Sequence, residues 1–172
     1  MSAADIAIRR LAHENEADVA LFRDIRLEAL RTNSEAFGST FETENAQELS
    51  WFSDRLGTTT VLGAFSDTKL VAMAGFAIQQ GQKCAHKGLL WGMYVRPGAR
   101  GTGVGHRLIE AALDLARQHV ELIQLTVVQE NEQARRLYAS LGFLDYGLEK
   151  HSLKHDGRYY DEVLMAKTLL NQ

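Results

Sequence analysis

The chain has 172 residues, 45% of them hydrophobic and 24% charged, which excludes a disordered, collagenous or membrane-embedded protein and suits one globular domain over residues 1–172. Cys84 is the only cysteine, so no intrachain disulfide framework or cysteine-rich zinc site can form, and a reducing compartment is expected. A formal net charge of -3 argues against a nucleic-acid partner, and neither the first ten residues nor the longest apolar run, residues 89–95, reads as a signal or a membrane span; a cytoplasmic protein is expected.

Ile6, Ile8 and Leu11 make a short first strand, and residues 18–31 place Leu21, Phe22, Ile25, Ala29 and Leu30 on one helical face. Residues 33–41 read as a loop, and residues 43–56, carrying Leu49, Trp51 and Phe52, as a second helix. Residues 59–65 and 70–78 are rich in strand formers and flank the polar turn Ser66-Asp67-Thr68-Lys69, so they predict an antiparallel hairpin. Residues 89–95 form an almost continuously apolar third strand, as in a central strand covered on both faces, with Gly92 marking a bulge. From Val104 to about Gln118 the apolar spacing is helical, and residues 122–128 are a second buried strand, so a parallel crossover is expected. Residues 132–141 are helical up to Gly142, and two strands close the chain near residues 143–151 and 159–169.

The segment most informative about chemistry is Arg100-Gly101-Thr102-Gly103-Val104-Gly105, which lies between a strand and a helix. Glycines there let backbone N–H groups converge on an anion, and the helix that follows adds the positive end of its dipole. Arg96, Arg100 and Arg107 supply nearby positive charge, so the loop suits a pyrophosphate. The spacing departs from a dinucleotide-binding fingerprint, and no Gly-Lys-Ser/Thr follows for a P-loop.

These residues resemble the GNAT superfamily of acyl-CoA-dependent N-acetyltransferases, whose signature is Arg/Gln-x-x-Gly-x-Gly/Ala after a central strand. The likeness extends upstream to Met93-Tyr94-Val95-Arg96-Pro97 and downstream to Val127, Asn131, Ala134, Leu137-Tyr138 and Leu141-Gly142-Phe143. It implies an α/β (α+β) domain with a mixed, mostly antiparallel sheet of about seven strands and about four helices, two central parallel strands splaying apart at the cofactor. It also implies that acetyl-CoA is the cofactor, held by the backbone of Met93, Tyr94 and Val95, by Arg100, Gly101, Thr102, Gly103, Val104 and Gly105, and by Asn131. Tyr138 matches the residue that protonates the departing thiolate. Taken by itself, Tyr138 reads equally as a core aromatic beside Ala134 and Leu141.

An attacking amine must lose a proton, and many relatives use a strand glutamate for this. Residues 89–95 contain no carboxylate, and Thr126 stands where some ribosomal-protein N-terminal acetyltransferases carry glutamate. Glu42, Glu44, His86, Asp161 and Glu162, or a water chain ending on one of them, are the candidate bases. The acceptor is expected to be a primary amine of a small molecule or peptide. Glu35, Glu42, Glu44 and Glu48 suggest an acidic rim for a cationic amine, and Trp51, Phe52 and Tyr159 an apolar lining. No metal is needed, and a homodimer is common among relatives. The alternatives are a non-catalytic acyl-CoA-binding or sensing domain and an unrelated dinucleotide-binding protein.

Overall fold

The computed structural model describes residues 6–170, so the reading of the first five residues lies outside it. The described elements run β1 (Ile6–Arg10), α1 (Glu16–Thr32), α2 (Phe41–Asn45), α3 (Leu49–Thr58), β2 (Thr60–Ser66), β3 (Lys69–Ile78), β4 (Lys87–Val95), α4 (Val104–Ala116), β5 (Leu122–Val128), α5 (Glu132–Ser140), β6 (Leu144–His155) and β7 (Arg158–Thr168). One seven-stranded sheet has the order β1-β2-β3-β4-β5-β7-β6. Only β4 and β5 pair in parallel among the described strands. This is the mixed, mostly antiparallel α+β architecture expected.

The helix count differs from the expectation in one place. Residues 43–56 do not form one helix: α2 ends at Asn45, and α3 begins at Leu49. Thr40 caps α2 by accepting the N–H of Thr43 at 3.2 Å. The break lets Glu44 point inward, where it is 1% exposed, while Phe52 and Leu56 of α3 enter the core.

Two apolar layers sandwich the sheet. On one side Phe22 and Ile25 of α1 and Phe52 of α3 pack against Val61, Phe65, Leu70 and Met73. On the other, Leu108, Ile109 and Ala112 of α4 cover Ala72, Ala74, Phe76, Ile123 and Leu125. Each fully buried Phe, Leu or Ile is worth about 1.5–3 kcal/mol. Asn15 starts α1 by accepting the N–H groups of Ala17 and Asp18. Asp18 then receives two hydrogen bonds of 2.7 Å from Arg9, tying the helix to β1.

The sheet divides at its centre. β4 and β5 are in register only at Lys87–Leu122, Gly88–Ile123 and Leu89–Gln124. Beyond that, β4 follows β3 while β5 runs its whole length along β7. The bulge expected at Gly92 lies here: Met73 faces Tyr94 and Gly75 faces Trp91, so β4 carries one extra residue. Gly92 has φ 63°, and the bulge adds local twist that turns β4 away from β5. The apolar run is consequently not covered on both faces throughout, and Leu89 is 38% exposed. No helix among the described residues is long and apolar enough to cross a membrane.

Candidate active site

The division between β4 and β5 opens into a cleft with two compartments. The first, of about 300 Å³, is lined by Met93, Tyr94, Val95, Arg100, Gly101, Gly103, Val104, Gly105 and Asn131, along with neighbouring residues. Nine of the residues expected to hold a cofactor therefore share one wall. Thr102 is absent from it, because its hydroxyl donates to the Ala99 carbonyl at 2.6 Å and closes the loop on itself.

The loop has the shape needed to receive an anion. Gly101 and Gly103 have φ of 75° and 80°, conformations that L side chains adopt only under strain, and no atom lies within 4 Å of a Cβ built on either. Arg107 is the first residue whose N–H turns back into α4, reaching the Gly103 carbonyl at 3.1 Å. The N–H groups of Val104, Gly105 and His106 thus have no carbonyl within the helix to bond, and they carry the positive end of its dipole. Gly105 lets α4 approach the sheet: a Cβ there would meet Met93 Cε at 3.3 Å.

The arginines divide their roles. Arg100 lines the cavity while its Nε donates to the Val95 carbonyl at 3.0 Å. Arg96 is turned away, held by Glu28 at 2.9 Å, Asp24 at 2.5 Å and the Leu70 carbonyl at 2.8 Å. Arg107 donates to the Ile6 carbonyl at 3.1 Å and does not line the cavity. Of the three charges expected around the loop, Arg100 is the one on the wall, with His106 beside it.

The second compartment, of about 670 Å³, meets the first at Ala36, Phe37, Met93, Asn131, Ala134 and Leu137. Asn131 caps α5 by accepting the Ala134 N–H at 3.2 Å, an interaction worth about 1 kcal/mol. The other end of α5 sets Tyr138, whose carbonyl accepts the Phe143 N–H at 3.1 Å and whose ring meets Phe143 edge-on at 5.8 Å. Gly142, with φ 86°, makes this helix ending. Tyr138 is buried and packs in the core, as its reading as a core aromatic expects, and it also lines the second compartment. Burial pushes its phenol well above the usual tyrosine range, so the hydroxyl stays protonated at neutral pH.

Of the five candidate bases, only Glu162 lines either compartment. It stands opposite Val128 on β7, on the face that Thr126 also occupies, and accepts the Ser152 hydroxyl at 2.5 Å. Glu162 thus puts a carboxylate on the same compartment wall as Thr126, from the neighbouring strand. Asp161 accepts the His151 N–H at 2.8 Å, and His86 lies at the paired end of β4, its carbonyl accepting from Glu121 and Leu122. Glu42 is exposed on α2.

The acidic rim does not form. Glu44 is buried in a two-pronged pair with Arg26, at 2.9 and 2.7 Å, and Glu35, Glu42 and Glu48 line neither compartment. Nor do Trp51, Phe52 and Tyr159; the aromatic side chains on the wall of the second compartment, beside Tyr138, are Phe37 and Trp91. Its charged residues, besides Glu162, are Arg26 and Arg55. Arg26 carried a signal in the sequence, since it lies four residues from both Phe22 and Leu30 in the apolar stripe of α1. Arg55 carried none. No group of three His, Cys, Asp or Glu among the described residues could hold a metal ion.

Comparison with known proteins agrees with this geometry. The sequence pattern of the acetyltransferase (GNAT) family matches residues 22–143. The chain is 36% identical over 78 residues to the phosphinothricin N-acetyltransferase of Streptomyces coelicolor, a match covering 45% of this chain and 46% of that one. It therefore spans about half the length of this curated relative. Its fold is that of a GNAT-family acetyltransferase from Streptococcus pneumoniae, with a TM-score of 0.79 at 22% identity over 95% of this chain and 98% of the other. A protein of Salmonella typhimurium solved with its cofactor acetyl-CoA also has a TM-score of 0.79, at 21% identity, covering 97% of this chain and 95% of that one. With 22–143 matched in a chain of 172 residues, and with the divided sheet and glycine loop in place, the chain belongs to the GNAT acetyltransferase family.

Proposed function

We propose that the protein is a single-domain, cytoplasmic N-acetyltransferase that moves the acetyl group of acetyl-CoA directly onto a primary amine of a small molecule or peptide. The observation that carries this reading is the joining of the two compartments. The glycine loop opens into one, Tyr138 and Glu162 line the other, and Met93, Asn131 and Leu137 belong to both.

Acetyl-CoA supplies an activated thioester. The glycine loop and the free N–H groups of α4 take its diphosphate, and the backbone of Met93 to Val95, released from β5, takes the amide-bearing arm. Gly92 and Met93 also have no register partner in β3, which leaves the bulge backbone available to polarise a carbonyl. Glu162, directly or through water, receives the proton that the ammonium gives up. The amine nitrogen then forms the C–N bond as the C–S bond breaks, Tyr138 donates its proton to the departing sulfur, and the second proton lost by the nitrogen restores the Tyr138 hydroxyl.

Calorimetric titration with acetyl-CoA, with NAD as control, tests the loop first. A dissociation constant near micromolar, about 8 kcal/mol, is expected for acetyl-CoA and none for NAD. CoA release over an amine panel tests the rest: binding without release above hydrolysis would make the protein an acyl-CoA sensor instead.

A further inference from the structure

Arg55 is singular in the second compartment. Its guanidinium carbon lies over the rings of both Trp51, at 4.9 Å, and Trp91, at 4.8 Å. Its nearest carboxylate, Glu44, is 3.9 Å away and already engaged by both prongs of Arg26. None of its side-chain N–H groups donates a hydrogen bond to another described residue, yet the side chain is 32% exposed and lines the cavity. Two arginines against one carboxylate leave one positive charge in excess in a corner walled by Phe37 and Trp91. Burial, followed by the charge of Arg26, pulls the Arg55 pKa down against the opposing effect of Glu44, as expected of a cation with less negative charge around it than it needs. The one other charged group on this wall is Glu162, which takes the Ser152 hydroxyl.

We propose that Arg55 receives an oxyanion of the acetyl acceptor, a carboxylate in the simplest case, and that the acceptor is a small amino-acid-like zwitterion. This rests on the transferase reading above and narrows it. A guanidinium held over two indoles keeps its planar fork fixed, and that fork matches a carboxylate with two parallel hydrogen bonds. The acceptor's ammonium, carried on the carbon beside the carboxylate in an α-amino acid, finds its counter-charge at Glu162, the carboxylate on the same wall as Tyr138. A purely cationic amine meets the unmatched charge of Arg55 and is disfavoured. The cavity of about 670 Å³ suits a small molecule rather than a folded substrate.

The test uses the full chain with three sets of probes: free amino acids, the same amines lacking the carboxylate, and short peptides with a free N-terminus. CoA release should favour the free amino acids. Arg55→Met, which keeps the stem over the indoles, should lower their kcat/KM by at least about 30-fold, chiefly through KM. Arg55→Lys, which keeps the charge without the fork, should fall between. The dissociation constant for acetyl-CoA and the thermal midpoint serve as checks of folding and should hold. Trp51 and Trp91 are the only tryptophans in the chain, so their emission reports amino-acid binding at this corner without turnover. Equal use of amines without a carboxylate, preference for peptides, or unchanged kinetics in Arg55→Met would overturn the proposal. Should no amine release CoA, the transferase reading falls, while an amino-acid-dependent emission change lost in Arg55→Met would still establish the anion receptor. No emission change would remove that as well.

Discussion

The indole of Trp91 rests on the bare backbone of Gly75, its partner across β3 and β4, so closely that a Cβ on Gly75 would lie 2.2 Å from Trp91 Cε2. The glycine thereby fixes where the ring sits, and the ring in turn supports Arg55. Gly75→Ala should displace Trp91 and cost about 1–3 kcal/mol in overpacking. For a domain of this size the thermal midpoint should fall by several degrees, roughly 2–4 °C per kcal/mol. Acceptor KM should rise while the affinity for acetyl-CoA holds, because Gly75 lines neither compartment.

Tyr138→Phe removes a hydroxyl that donates no hydrogen bond to a described residue and keeps the ring that packs on Phe143. The thermal midpoint and the dissociation constant for acetyl-CoA should therefore stay at wild-type values. Turnover should drop by about 100-fold or more, the usual contribution of a general acid. Steady-state CoA release beside calorimetry decides it, and unchanged turnover would remove Tyr138 from the reaction.

Gly103→Val tests the loop. The protein leaves room for the new side chain, so the cost to folding is limited to the strain of holding φ near 80° in a β-branched residue, about 1–2 kcal/mol. A domain that folds but shows no heat with acetyl-CoA is the expected result. Normal binding would move the diphosphate elsewhere.

The buried Glu44–Arg26 pair gives a pH signature. Desolvation pushes the Glu44 carboxyl up, but the hydrogen bonds and charge of Arg26, helped by Ser39 and Arg55, outweigh it and leave the pKa below the ordinary value of 4.5. A carboxyl depressed on folding stabilises the protein fully above its unfolded pKa, and that stability is lost as pH falls through the lower folded value. Glu44→Gln should cost about 3–5 kcal/mol near neutral pH, since it leaves Arg26 buried without its partner. Denaturant titrations at neutral pH and below about pH 4 should show the gap between the two proteins narrowing on acidification.

Elements with strong periodicity were legible in the sequence. The strand at 122–128 has the observed bounds, and the bulge at Gly92, the helix end at Gly142 and the glycine loop follow from local chemistry that glycine alone supplies. The break between α2 and α3 was not legible, because no glycine or proline lies between Gly38 and Gly57 to mark it. It answers to a tertiary demand, the burial of Glu44 against Arg26 from a different helix. The same pair explains why a run of glutamates is no rim: counting charge along the chain does not reveal which carboxylate faces inward. Trp91 reads as one more apolar residue of a buried strand, and its place over the cavity depends on Gly75 across the ladder. Glu162 emerges at the site only through the register of β7 on β5.

The short parallel pairing of β4 and β5 also sets the local rigidity of the sheet. Three register pairs join them, and past Leu89 the two halves of the sheet are coupled through side chains rather than through a continuous ladder of backbone bonds. Amide hydrogens in the second half of β4 should therefore exchange with solvent sooner than those of β3, although both strands are central. A ligand whose own amides lie between the halves acts as the missing rung. At 100 times its dissociation constant it would add about 2.7 kcal/mol to global stability, and its protection should be greatest at the residues from Gly92 to Val95.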